Sequence, residues 1–208
     1  NTFFTGMSNG GELCYLLACE ASNVFRAFAP VAGTIFPNGL TNNICSPTLP
    51  VPIFETHGRN DNVTLIEGDP FDQYWGPYLS IDTIINFWVN QNSLTNLVVD
   101  TFPNLNNNNK ITISYKYSDP STNNEVWLYT HKSGHNWGDD GDVVIEEEIW
   151  EFFTKMSLNT STIIQENYSN NKLIKVVDIL GRKSTEKKNT LLFYIYDDGT
   201  VEKRITIE

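Results

Sequence analysis

The stretch Thr2-Phe3-Phe4-Thr5-Gly6-Met7-Ser8-Asn9-Gly10-Gly11, followed by Glu12 to Glu20, decides the fold. Thr2 to Thr5 is strand-like, and Glu12 to Glu20 carries Leu13, Leu16, Leu17 and Ala18 without a helix breaker. Between them, Gly6-Met7-Ser8-Asn9-Gly10 has the spacing G-x-S-x-G. Small residues two before and two after a serine permit a sharp strand-to-helix turn, so the hydroxyl stands clear of the sheet at the positive end of the helix dipole. In that context Ser8 is a candidate nucleophile, and the Asn9 backbone N–H a candidate donor to the oxyanion formed when it attacks.

Beyond this turn, Phe25 to Val31 reads as a short apolar strand and Gly33 to Pro50 as a loop rich in Gly, Pro and Asn. Val51 to Thr56 is the next strand, ending in the turn-forming His57-Gly58-Arg59-Asn60-Asp61. Ser80 is placed to cap a helix with Ile81, Ile84, Ile85 and Trp88 at helical spacing, ending near Asn90. Asn104 to Asn109 is a loop by composition. Lys110 to Tyr117 and Glu125 to Thr130 alternate on either side of a turn and predict an antiparallel hairpin. The loop Ser133 to Asp142 then leads into a helix from about Val143 to Met156. Strands interleaved with helices predict an α/β sheet of parallel character, with its ligand site at the carboxyl ends of the strands.

The tail has a different composition. Residues 171 to 208 hold 8 Lys/Arg against 6 Asp/Glu, whereas residues 1 to 170 hold 6 against 19. Lys172 to Leu180, Leu191 to Tyr196 and Val201 to Ile207 alternate around Gly181 and Asp197-Asp198-Gly199, the pattern of a small all-β unit. The expected organisation is a domain over 1–158, a linker over 159–171 and a β module over 172–208.

With 208 residues, 40% of them hydrophobic, the chain has the material for a sizeable core. Its net charge of −11 works against a sequence-independent grip on nucleic-acid phosphates. No apolar run approaches the roughly 20 residues of a spanning helix. No signal-peptide pattern opens the given sequence, and the abrupt start on a strand reads as the middle of a longer sheet. Cys14, Cys19 and Cys45 match no metal motif. Cys14 and Cys19 stand about 140° apart on a helix and are not expected to pair, so three buried thiols are the expectation.

A serine nucleophile needs a base, and the histidines are His57, His131 and His135. His131 ends a hairpin strand and His57 precedes a glycine at a strand end, both settings for structural roles. His135, in the loop Ser133-Gly134-His135-Asn136-Trp137-Gly138, can reach over to Ser8 and is the preferred base. The third member should be an acid that orients the imidazole and lies between nucleophile and base in the chain. Asp61 meets that order; Asp69 and Asp72 lie further into the loop. Asp139, Asp140 and Asp142 miss the twelve-residue calcium pattern and, like Glu146 to Glu148, read as exposed charge at a helix start. Tyr74, Trp75 and Tyr78 lie in a Pro- and Gly-rich loop near Asp61, where either an aromatic wall for a sugar or phenolic group or simple packing fits.

Phe4-Thr5-Gly6-Met7-Ser8-Asn9-Gly10-Gly11, Leu17-Ala18-Cys19-Glu20, Ala29-Pro30-Val31-Ala32-Gly33, the strand from Pro50-Val51-Pro52 to His57-Gly58 with Asp61, and Gly134-His135-Asn136-Trp137 occur in this order. The series, over residues 2 to 157, resembles the polyhydroxybutyrate depolymerase and feruloyl esterase family of α/β-hydrolases. The resemblance implies the C-terminal part of an α/β-hydrolase fold and the triad Ser8, Asp61 and His135. It further implies no cofactor or metal, and hydrolysis of esters: acetyl or feruloyl groups on polysaccharides, or polyhydroxyalkanoates. Trp75 and Trp137 are the expected substrate contacts. Compared with that family, the earlier strands and the second oxyanion donor are missing before Asn1, so poor activity is expected of this chain and esterase activity of its parent. Val177-Asp178-Ile179-Leu180-Gly181-Arg182 and Tyr194 to Lys203 resemble the C-terminal sorting signal of the bacterial type IX secretion system, implying that machinery as a partner and a secreted or surface-attached protein. A serine peptidase would share the triad. The alternative from another class is a surface-displayed carbohydrate-binding protein that keeps the turn without catalysis.

Overall fold

β-branched and aromatic runs form the first strands, β1 (Phe3–Met7), β2 (Ala27–Val31) and β3 (Ile53–Gly58). They alternate with α1 (Asn9–Glu20), the short α2 (Pro37–Leu40) and α3 (Ile81–Gln91). Then follow β4 (Asn96–Thr101), β5 (Ile113–Ser118), β6 (Glu125–His131) and α4 (Ile145–Met156). The tail contributes β7 (Leu173–Asp178), β8 (Leu191–Tyr196) and β9 (Val201–Ile205). This computed structural model describes residues 2–40, 44–105, 107, 111–138, 143–157, 172–185, 188–197 and 199–205. The expected linker 159–171, much of the Asn104–Asn109 run, and Asp139, Asp140 and Asp142 lie outside the described residues.

The chain divides into two compact units, Asn1–Leu158 and Asn159–Glu208. In the first, six strands form a mixed, mostly parallel sheet in the order β1-β2-β3-β6-β5-β4. β1, β2, β3 and β6 run parallel, so their carboxyl ends share one edge of the sheet; β5 and β4 are antiparallel. β5 and β6 form the expected hairpin. β4 was not foreseen: all six of its residues are exposed, and an outermost strand without a buried face leaves no alternating signature.

Helices cover both faces. Along β3 and β6, Ile53, Val126 and Leu128 point to the side where Tyr15 and Ala18 of α1 and Ile81, Ile84, Ile85 and Trp88 of α3 pack. Phe54, Trp127 and Tyr129, one residue out of phase, point to Ile145, Ile149, Phe152, Phe153 and Met156 of α4. The Phe54 ring meets those of Trp127, Tyr129 and Phe152 with centroids 4.6–5.6 Å apart. At the start of α3, the Ser80 hydroxyl accepts a hydrogen bond from the Thr83 N–H (3.2 Å), as its capping role requires. Of the acidic run opening α4, Glu146 and Glu147 are exposed, whereas Glu148 accepts a hydrogen bond from the Tyr129 hydroxyl (2.7 Å).

The expectation of three buried thiols is corrected. Cys19 is bonded to Cys45, with their Cα atoms 4.8 Å apart, and only Cys14 is a free, buried thiol. Helical spacing excluded the Cys14–Cys19 pair alone. It carried no information on Cys45, whose loop returns to the carboxyl end of α1.

In the second unit β7, β8 and β9 form an antiparallel sheet with β8 in the middle. Val177, Leu192 and Tyr194 are buried there. Gly181 and Gly199 adopt positive φ (77° and 84°) in the turns that follow β7 and β8, a conformation glycine enters without steric cost. No helix among the described residues is long and apolar enough to cross a membrane.

Candidate active site

Register along the parallel strands sets the site. Met7 pairs with Val31, Val31 with Thr56, Thr56 with Tyr129, and Gly58 with His131, so the segments leaving β1, β3 and β6 emerge at one edge of the sheet, the first separated from the other two by β2. Ser8 leaves the first, Asp61 the second and His135 the third. Backbone bonds tie these exits together: the Ser8 N–H donates to Val31 O (2.8 Å), Ala32 N–H to Thr56 O (2.9 Å), and Arg59 N–H to His131 O (2.7 Å).

Ser8 joins β1 to α1 with φ 57° and ψ −119°, a backbone region that costs a non-glycine residue on the order of 1–3 kcal/mol. The surrounding glycines make the turn possible. A Cβ on Gly6 would lie 2.8 Å from the backbone of Gly10, and one on Gly33 2.6 Å from that of Gly11. The first turn of α1 begins immediately after Ser8, and its leading N–H groups, Asn9 foremost, lack acceptors within the helix. They form the donor end at which a negatively charged oxygen is stabilised.

Asp61 is buried, and both its oxygens are committed. Oδ1 accepts the backbone N–H groups of Val63 (2.8 Å) and Thr64 (2.9 Å), while Oδ2 accepts Nδ1–H of His135 (2.8 Å). A carboxylate only accepts, so the proton of neutral His135 lies on Nδ1 and Nε2 keeps its lone pair. The loop bearing His135 lies directly on β3 because Gly58 has no side chain: a Cβ there would run into the carbonyl oxygens of Ser133 and Gly134.

The other histidines are placed differently. His131 is fully buried at the end of β6. His57 is buried on β3 with Nδ1 2.9 Å from Glu55 Oε1 and Nε2 2.8 Å from Thr64 O. Asp69 and Asp72 serve their own loop, accepting the N–H groups of Phe71 (2.7 Å) and of Tyr74 and Trp75 (2.9 and 2.6 Å). Among the described residues no three His, Cys, Asp or Glu side chains gather as a metal site would require.

No family model matches the sequence, and no curated protein matches it. The chemistry open to the site follows from its geometry: a serine on a constrained turn at a helix amino terminus shares one sheet edge with a hydrogen-bonded Asp–His pair. Two concave surfaces adjoin it. A cavity of about 370 Å³ runs from Asn9 along α1 past Leu13 and Leu16 to Ile35 and Phe36. Another, of about 520 Å³, starts at Asn62 and Val63, next to Asp61, and is walled by Tyr74, Trp75 and Tyr78. In that loop Phe71, Tyr74 and Trp75 are 80%, 91% and 54% exposed. Trp137 is half-buried and packs on the core beneath α4, whereas Trp75 is open to solvent. Sequence reasoning missed Tyr15 and Glu55, whose contact with His57 joins the Asp61 side of the site to α1; a glutamate inside an apolar strand was the available signal.

Proposed function

We propose that the protein is a serine carboxylic ester hydrolase that works through an acyl-enzyme. His135 Nε2 takes the proton of the Ser8 hydroxyl as Oγ bonds to the ester carbonyl carbon, and Asp61 holds the imidazolium that results. The Asn9 N–H, at the head of α1, donates to the oxyanion. Collapse of the tetrahedral intermediate breaks the bond to the alcohol oxygen, which leaves with the proton returned by His135. Water, deprotonated by His135, then attacks the acyl-Ser8 carbonyl and releases the acid. Supporting this reading above all is Ser8 itself, held in a strained turn on the sheet edge where Asp61 and His135 already form a 2.8 Å hydrogen bond.

For the substrate, we favour acyl groups on a polysaccharide over a polyester. Exposed aromatic faces beside the carboxylates of Asp69 and Asp72 suit sugar rings, which present C–H groups and hydroxyls together. The sorting-signal resemblance of the tail supports export to the surface or medium, where such polymers are met. Hydrolysis of p-nitrophenyl acetate, methyl ferulate and acetylated xylan, each with Ser8→Ala as control, tests the reading. Trp75→Ala should raise KM on acetylated xylan and leave p-nitrophenyl acetate unaffected. A folded protein that retains xylan but turns over no ester would favour a carbohydrate-binding protein, a reading that the exposed Phe71, Tyr74 and Trp75 also support.

A further inference from the structure

Behind Asp61 a second set of ionisable groups is sealed inside the protein. Glu55 and His57, on the same face of β3, are both fully buried. Glu55 Oε2 accepts the Tyr15 hydroxyl of α1 (2.8 Å), and Oε1 lies 2.9 Å from His57 Nδ1. His57 Nε2 lies 2.8 Å from Thr64 O and 3.6 Å from Asp61 Oδ2, the oxygen that holds His135.

The proton count follows from the partners. A backbone carbonyl only accepts, so Nε2 of His57 bears a proton. One further proton is shared between Nδ1 and Glu55. Glu55 already accepts the Tyr15 hydroxyl, and a second carboxylate, Asp61, lies on the far side of the imidazole, so the proton is best placed on His57. Burial alone would lower the His57 imidazolium, but the hydrogen bond and charge of Glu55 outweigh it and the balance is upward. Burial also raises Glu55 itself, against the pull of His57, Tyr15 and Gly33. The remaining groups facing the pair from α1, Tyr15 and Cys14, are both raised first by burial and then by the Glu55 charge, and they stay protonated.

We propose that Glu55 and His57 form a buried ion pair whose imidazolium end lies against Asp61, making them positioning residues that set the strength of the Asp61–His135 bond. Taking acyl transfer as the reaction, this rests on the function proposed above. A cation beside Oδ2 draws Asp61 charge away from His135 and opposes a second positive charge on that ring. The pair thus shares the charge on Asp61 Oδ2 between His57 and His135 and sets how strongly Asp61 holds the His135 Nδ1–H.

With His57, His131 and His135 as the histidines of the chain, imidazole ¹⁵N spectra assigned by substitution are a direct test. In the wild-type protein His57 should carry protons on both nitrogens from pH 5 to 8. Glu55→Gln should leave it protonated on Nε2 alone, move the low-field Nδ1–H signal of His135 further downfield, and shift the acidic limb of kcat/KM upward by roughly half a pH unit. A singly protonated His57 in the wild-type spectrum would overturn the ion pair, whether or not Glu55→Gln folds. A doubly protonated His57 with a His135 signal and rate profile indifferent to Glu55→Gln would overturn the positioning role. Should Glu55→Gln not fold, Tyr15→Phe, which removes one donor from Glu55, is expected to shift the His57 Nδ1–H signal while the ring stays doubly protonated; no shift would overturn the network. The spectra require no substrate, so an altered His135 signal in a protein without esterase activity would fail the functional reading and leave the ion pair standing.

Discussion

The two sheets of this protein bury very different amounts: every residue of β2 and β3 is buried, whereas every residue of β9 is exposed. Helices cover both faces of β1, β2, β3 and β6, and that enclosure holds Glu55, His57 and Asp61 out of water among named partners. In the tail, Val177, Leu192 and Tyr194 are buried, and its polar contacts, such as Arg182–Asp178 and Arg204–Glu202, lie at the surface. The difference teaches where chemistry can be built. A carboxylate orients an imidazole only where the surroundings fix both groups; solvated ion pairs contribute little to stability.

The largest effects should fall on the first sheet and spare the second. Ser8→Ala and His135→Ala are each expected to lower ester hydrolysis by a factor on the order of 10⁴ or more, with unchanged circular dichroism. Ser8→Gly should abolish turnover equally and yet stabilise the fold by about 1 kcal/mol, because glycine enters a positive-φ turn without strain. A steady-state assay paired with urea denaturation reads both. If Ser8→Gly proves less stable than Ser8→Ala, the turn is not strained as described.

Core truncation sharpens the contrast in stability. Phe54→Ala removes a ring that contacts Trp127, Tyr129 and Phe152 and should cost about 3–5 kcal/mol, carrying activity away with the fold. Leu192→Ala should melt the tail while esterase activity persists. Loss of activity in Leu192→Ala would make the two units energetically dependent on one another.

Reducing Cys19–Cys45, which closes a loop of 26 residues, should lower stability by about 3 kcal/mol, read as a drop in Tm with reductant. Cys14 adds nothing to that response, being a buried thiol.

The smallest expected effect concerns Glu12, in the first turn of α1, whose carboxyl is raised above its ordinary range by burial. A raised folded-state value means the fold favours the protonated form: the benefit is full below the unfolded-state pKa and is lost as pH rises through the folded one. Glu12→Gln should therefore match the wild-type protein near pH 4 and exceed it slightly at pH 7 in paired urea titrations. Equal stability at both would show the carboxylate to be well solvated.

Much of this was legible in the residues alone. Gly6, Ser8 and Gly10 between a strand and a helix announced the turn, and the order Ser8, Asp61, His135 picked out the pair that the structure brings within 2.8 Å. The alternation in Glu125 to Thr130 and the helical spacing of Ile81, Ile84, Ile85 and Trp88 likewise declared β6 and α3. What escaped had no local signature. β4 is exposed throughout, and Cys45 meets Cys19 through a loop whose path no periodicity describes. Glu55 reads as an interruption of an apolar strand until Tyr15, 40 residues earlier, is seen to reach it.

The central claim is that Ser8 is an activated nucleophile. Incubation with a fluorophosphonate probe, followed by peptide mass spectrometry, tests it without reference to the natural ester. Even a site short of one oxyanion donor loses only about 10²–10³ in rate, which leaves labelling measurable over hours. The account predicts an adduct on Ser8, strongly slowed by His135→Ala and absent from Ser8→Ala. A folded protein in which Ser8 stays unmodified, or reacts no faster when His135 is present, would contradict it.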